Sequence, residues 1–246
     1  MDEPALVDRP AAGLRLIVDP SARARGLVLA FSDRKGGASP APYDSLNLAA
    51  SVGDERANVD ANRAAVAGAA GFEPGSVRFA RQIHGADVLE VTSADPTVAG
   101  EADVLVTSEP GVTIGILTAD CTPVVLAGPD GVAVAHAGWR GLVAGVIEAA
   151  VRALGRVETA WIGPSIHACC YEVGPEVVTA FESRGLPIAA PDRVDPGRAA
   201  AFALRRVGIE RIALSTDCTS CDRRYFSYRR DGTTGRQGAF VSRIAR

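Results

Sequence analysis

Histidine is scarce in this chain of 246 residues: His84, His136 and His167 are all it has. A blue-copper site coupled to a copper cluster consumes many imidazoles, so oxidation of phenols by a multicopper route is excluded. There is no excess of basic residues either. Lys and Arg number 26 against 29 Asp and Glu, for a formal charge of −3, and the basic stripe of a nucleic-acid binder is missing. No apolar run approaches the roughly 20 residues of a membrane-spanning helix. Met1-Asp2-Glu3-Pro4 lacks the basic start of a secretory signal, and a cytoplasmic protein with no nucleic-acid or membrane partner is expected.

Five cysteines, an odd number, in a chain with no such signal argue against a disulfide framework. Cys218 and Cys221 are spaced as a redox dithiol or as half of a structural zinc site. No second Cys-x-x-Cys completes a zinc site, and no thioredoxin-like strand and helix support a redox role. Cys169 and Cys170 are adjacent, which disfavours chelation of one ion. All four are therefore expected to be plain loop or core thiols.

What the sequence does have is concentrated chemistry. Leu117-Thr118-Ala119-Asp120-Cys121-Thr122-Pro123 is followed by His136-Ala137-Gly138-Trp139-Arg140-Gly141, with Gln82-Ile83-His84-Gly85 upstream. His84, Cys121 and His136 are donors of the kind zinc prefers, and three of them leave its fourth tetrahedral position open for catalysis. Asp120 beside Cys121 is costly to bury without a partner or a purpose.

The local pattern predicts that these donors meet. Val112 to Leu117 reads as a buried strand, Val124 to Leu126 as a second, Gly128-Pro129-Asp130-Gly131 as a turn, and Val132 to Ala135 as the antiparallel return. Cys121 and His136 then share one end of a hairpin. Leu142, Val143, Val146, Ile147, Val151 and Leu154 fit one apolar helix face. Further helices are expected over Glu55 to Ala70, Pro175 to Ser183 and from the N-cap Asp195 to about Val207. Strands are expected at Leu14 to Val18, Leu27 to Phe31, Ser76 to Ala80, Val88 to Val91, Val104 to Thr107, Glu158 to Ile162 and Ile209 to Leu214. With no repeat, no low-complexity tail and no long linker, residues 1–246 are expected to form a single α+β domain of layered mixed sheets flanked by helices.

The chain resembles the YfiH family, also called the polyphenol oxidoreductase laccase or multicopper-oxidase-like family. The resemblance rests on Arg34-Lys35-Gly36-Gly37-Ala38-Ser39, Tyr43-Asp44-Ser45-Leu46-Asn47-Leu48, Val52-Gly53-Asp54, the three segments above, Gly163-Pro164-Ser165-Ile166, Cys170-Tyr171-Glu172-Val173-Gly174 and Phe226-Ser227-Tyr228-Arg229-Arg230-Asp231. These run in family order over roughly residues 28 to 243. The resemblance implies zinc-dependent phosphorolysis of adenosine, inosine and methylthioadenosine, with adenosine deamination as a further activity. It carries the zinc ligands onto His84, Cys121 and His136; copper is the alternative ion. Ala38 stands where the family usually has valine, and His167 where a small residue is common.

Asp120 and Cys121 are the expected catalytic residues. The Asp120 carboxylate can work as general acid or base, or it can hold the tautomer of His84 or His136. Arg34 and Arg140 suit phosphate because a guanidinium fork matches its oxygens in pairs. Arg229 and Arg230 are further candidates, unless they form only a solvated face. Asn47 and Gln82 can read purine or ribose edges or tie down their own loops. The rival readings are a hydrolase that edits cell-envelope precursors with the same zinc, and a binding module stabilised by zinc. The sequence sets no oligomeric state.

Overall fold

The computed structural model describes residues 3–245, so Met1, Asp2 and Arg246 lie outside the described residues. Its strands are β1 Val7–Ala11, β2 Leu14–Val18, β3 Leu27–Ser32, β4 Val77–Arg81, β5 Val88–Glu90, β6 Val98–Glu101, β7 Val104–Thr107, β8 Thr113–Thr118, β9 Thr122–Ala127, β10 Val132–Ala137, β11 Thr159–Ile162, β12 Ile188–Ala190, β13 Arg193–Val194, β14 Ile212–Leu214 and β15 Gln237–Arg243. The helices are α1 Arg56–Ala70, α2 Trp139–Ala144, α3 Val146–Leu154, α4 Pro175–Ser183, α5 Pro196–Arg206 and α6 Tyr228–Asp231. One sheet has the order β1-β2-β3-β15-β8-β4-β6, a second β14-β11-β9-β10-β7-β5, and β12 pairs with β13. Both large sheets are mixed, since β4 with β8 and β5 with β7 run parallel while β9 with β10 runs antiparallel.

The two-residue period of the strands dictates the layering. Val124 and Leu126 of β9 enter one apolar cluster, and Val125 and Ala127 enter another. In β10, Ala133, Ala135 and Ala137 are separated from Val132 and Val134 in the same way. A strand apolar on both sides must be covered on both. Helices α2, α3 and α5 cover one side through Leu142, Ile147 and Leu204. The seven-stranded sheet covers the other through Phe31, Ile116 and Val241, and Val66 of α1 packs with Leu14 and Phe240 beyond it. The architecture is therefore α+β, with mixed sheets layered between helices. Each fully buried Val or Leu here stabilises the hairpin by roughly 1.5–3 kcal/mol, which makes its end a firm platform.

Two sequence expectations change. The helix expected through Leu142 and Leu154 is two, because Gly145 takes φ 87° and breaks the run between α2 and α3. Strand β15 was not expected at all, yet it pairs with both β3 and β8 near the middle of its sheet. Its Gln237-Gly238 start and Ser242 mask a buried strand. Among the described residues, no helix is long and apolar enough to cross a membrane.

Candidate active site

The β9–β10 turn closes through Gly128 N–H donating to Gly131 O at 3.0 Å. Its register sets His136 opposite Pro123 and Ala137 opposite Thr122. Cys121, one residue before β9, thus stands at the same end as His136, as the hairpin reading predicts. His84 arrives from the loop after β4. One ring nitrogen of His84, the Cys121 sulfur and one ring nitrogen of His136 lie within 4.8 Å of one another, and the two imidazoles cross at 77° with centroids 4.8 Å apart. Glycine leaves the donors room: a Cβ on Gly138 would sit 3.1 Å from Cys121 Sγ and 3.3 Å from His84 Cδ2, so a larger residue would press on the cluster.

One carboxylate that sequence reasoning missed holds the His136 imidazole and the backbone of the His84 loop. Asp103 is buried, and its Oδ1 pairs with His136 Nδ1 at 2.8 Å. It also accepts the backbone N–H groups of Ile83 at 3.2 Å, His84 at 3.0 Å and Gly85 at 2.6 Å. These bonds hold the His84 loop, where His84 itself takes φ 61°, a conformation that costs a non-glycine residue about 1–3 kcal/mol. The bond to Nδ1 leaves His136 Nε2 to face the cluster. The usable signal was a carboxylate directly before the apolar strand β7, where burial demands partners.

The electrostatics favour a ligating thiolate. Burial alone would push the Cys121 thiol up, but His136 and His84 beside it bring it below the ordinary thiol range. Burial opposes the charged form of His136, yet the charge of Cys121 and the hydrogen bond to Asp103 raise it above the ordinary imidazole range. Asp103 also resists the penalty of burial: His136 and the loop N–H groups hold it below the usual carboxylate range.

The three donors open onto a cavity of about 440 Å³ that Gln82, Tyr228 and Arg236 also line. The size lies within the range of small-molecule sites. Arg236 donates from Nη1 to Thr234 O and Gly235 O, both at 2.9 Å. Among the described residues no carboxylate forms an ion pair with it. Burial disfavours its charge, while Cys121 and Asp120 favour it. Tyr228 is 63% exposed and offers an aromatic face at the rim.

Asp120 is buried at φ 97° and is not part of the cavity lining. Its Oδ1 accepts from Thr219 Oγ1 at 2.6 Å and its Oδ2 from the backbone N–H of Arg229 at 2.7 Å. The tautomer-holding role considered for it belongs to Asp103. Gln82 lines the cavity but ties down its strand, donating to Leu117 O at 2.8 Å and accepting from Leu117 N at 2.9 Å. Asn47 is buried and bonded to Ala49 and Asp54 within its own loop region, and its Oδ1 accepts from the backbone N–H of Arg236 at 2.9 Å across the chain. Arg34 pairs with Asp44 at 3.0 Å and Asp231 at 3.6 Å.

The remaining arginines lie elsewhere. Arg140 stacks on Trp139 with its guanidinium carbon 4.5 Å from the ring centroid. With Arg229 it lines a separate, more open cleft of about 880 Å³ beside Tyr171 and Glu172, which Cys169 and Cys170 also line. Arg230 pairs with Asp231 at 2.7 Å and donates to the carbonyls of Thr219 at 2.9 Å and Tyr225 at 2.8 Å, holding that loop. His167 is engaged by Asp195 at 3.0 Å, away from the cluster.

Residues 28–244 match the family described as multi-copper polyphenol oxidoreductase laccase. The chain is 41% identical over 232 residues to a Streptomyces coelicolor protein named purine nucleoside phosphorylase, covering 88% of this chain and 95% of that one. It is 39% identical over 240 residues to purine nucleoside phosphorylase YfiH of Escherichia coli, with 92% and 98% covered. The crystal structure of YlmD from Geobacillus stearothermophilus matches with a TM-score of 0.89 at 31% identity, over 98% of this chain and all of that one.

Proposed function

Because this chain belongs to the YfiH, or multi-copper polyphenol oxidoreductase laccase, family, we propose that it is a zinc-dependent purine nucleoside phosphorylase. Its substrates are adenosine, inosine and methylthioadenosine, with adenosine deamination as a second activity. The observation that carries this reading is one cavity lined by His84, Cys121, His136 and Arg236: metal donors face the same space as a guanidinium that has no carboxylate partner among the described residues.

The donor set fits zinc. One thiol and two imidazoles lie within 4.8 Å of one another, Asp103 directs His136 Nε2 inward, and three protein ligands leave one position open. Copper-cluster oxidation lacks the histidines it would need. When bound, the ion supplies Lewis acidity at that open position.

The chain's own residues supply the rest. Arg236 attracts the phosphate that attacks the ribose C1′, and a guanidinium suits that anion by shape as well as charge. The Tyr228 ring stacks on the purine at the cavity rim. Asp120 is a positioning residue: by accepting from Thr219 and Arg229 it fixes the loops behind Cys121. Asp103 fixes the orientation of the His136 imidazole and holds the backbone of the His84 loop.

Chromatography of adenosine incubated with metal-loaded protein, with and without phosphate, tests the proposal. Phosphate-dependent adenine release is expected, with inosine reporting the deamination. Release of an amino acid from a cell-envelope precursor, with no phosphate-dependent adenine, would move the assignment to the editing hydrolase.

A further inference from the structure

The loop thiols do not stand apart as the sequence reading expects. Cys169 and Cys170 follow β11, Cys218 and Cys221 follow β14, and the fold brings all four sulfurs within 4.8 Å of one another. Cys221 Sγ lies 3.4 Å from Cys169 Sγ and 3.1 Å from Cys170 Sγ. We infer that Cys169, Cys170, Cys218 and Cys221 form a second metal site, a closed tetrahedral centre for a structural Zn²⁺.

Three features carry the inference. The first is spacing: Zn–S bonds of about 2.3 Å set the sulfurs of a tetrahedral centre about 3.8 Å apart, close to what the four thiols already show. Four thiolates select zinc or iron, and a compact group leaves room for a single ion but not for a polynuclear cluster. The second is preparation of the buried ligand. The backbone N–H of His167 points at Cys218 Sγ at 3.4 Å. An amide aimed at the sulfur favours its thiolate, the form that binds metal, over the weakly accepting thiol.

The third is charge. Binding releases one proton from each thiol and leaves the centre with two excess negative charges. Two guanidiniums, each shared with a carboxylate, anchor the loops that carry the sulfurs and keep positive charge beside them. Arg193 donates to the carbonyls of Ala168 at 3.1 Å and Cys169 at 3.3 Å, and Arg230 to those of Thr219 at 2.9 Å and Ser220 at 3.2 Å.

A closed centre here is a staple. Thr219, between Cys218 and Cys221, donates to Asp120 at 2.6 Å, and Asp120 is adjacent to Cys121. Glu172, two residues beyond Cys170, accepts from Arg229 Nη1 through its carbonyl at 2.8 Å. The ion would fix both loops behind the cavity without touching substrate.

Metal analysis of protein purified with reductant and without chelator tests this. The full chain should carry about two zinc ions, and the His84→Ala/His136→Ala variant about one. Cobalt loaded into that variant should give the intense thiolate-to-metal charge-transfer band and tetrahedral ligand-field spectrum of a four-sulfur site. Alkylation mapped by mass spectrometry should spare all four cysteines until chelator is added, a readout that needs no cysteine variant to fold. A His84→Ala/His136→Ala protein that binds neither zinc nor cobalt overturns the inference. So does a reduced wild-type chain in which the four thiols alkylate freely, or one that retains a Cys170–Cys221 disulfide in place of metal.

Discussion

Two sulfur-bearing clusters are built here by opposite means. His84, Cys121 and His136 sit at strand ends of the layered sheets, backed by the buried carboxylate of Asp103, and face a cavity. Cys169, Cys170, Cys218 and Cys221 sit on two loops, brought together by their own sulfurs and anchored through their backbone by Arg193 and Arg230. The first offers three donors, two of them imidazoles, and stays open; the second offers four thiols and closes. Ligand number sets the task, because an open position invites substrate and a filled sphere only holds the chain. Thr219 joins the two regions by belonging to the loop of one and bonding Asp120 behind the other.

The sharpest way to break the comparison is to delete one sulfur from each cluster. Cys121→Ala should abolish metal at the open site and slow nucleoside phosphorolysis on the order of 10³-fold, since losing several kcal/mol of Lewis-acid stabilisation converts to that rate. Cys221→Ser should leave kcat in its original order of magnitude, lower the melting temperature and remove only the second ion. Metal content, melting curves and adenine release on the same preparations decide it. Equal catalytic losses would mean that the two clusters are not functionally distinct.

A smaller effect should follow from Asp103→Asn. The amide keeps the size but cannot serve His136 and three backbone donors as an anion, and loss of such an orienting partner weakens metal binding about 10- to 100-fold. Competition with a chromophoric chelator measures this at the open site alone. The thiol quartet should keep its ion, because none of its donors meets Asp103. Unchanged zinc affinity at the His84 site would reduce Asp103 to a loop clamp.

The open cluster was legible because its donors lie in short motifs and its hairpin has an apolar alternation and a Gly-Pro-Asp-Gly turn. The layered α+β arrangement was legible for the same reason: strands such as β2 and β7 have apolar runs with clear ends. The closed cluster was not. Its halves are 51 residues apart at Cys170 and Cys221, and nothing local says that β11 and β14 run in parallel and deliver their following loops to one place. Strand β15 was hidden because its glycine and polar residues are tolerated only between two partner strands. Arg140 and Arg236 show the limit for single side chains: both are arginines near motif residues, and only the folded chain separates the cavity each one lines.

That separation gives the prediction with the smallest expected change and the finest resolution. Arg236 lines the cavity of the metal donors with no ion-pair partner among the described residues, whereas Arg140 stacks on Trp139 and lines the more open cleft that Cys169 and Cys170 also line. Lysine at either position keeps the charge and loses the two-pronged geometry. If phosphate is gripped at Arg236, Arg236→Lys should raise the phosphate KM about tenfold, the equivalent of one charge-assisted hydrogen bond of roughly 1.5 kcal/mol. Arg140→Lys should leave it nearly unchanged. Deamination uses water as the nucleophile, so inosine formation from adenosine provides an internal control that neither substitution should shift. A phosphate titration of adenine release for both variants reads the difference directly. A rise confined to Arg140→Lys would place the anion site in that open cleft, beside the thiol loops, and would join functionally two regions that line separate cavities.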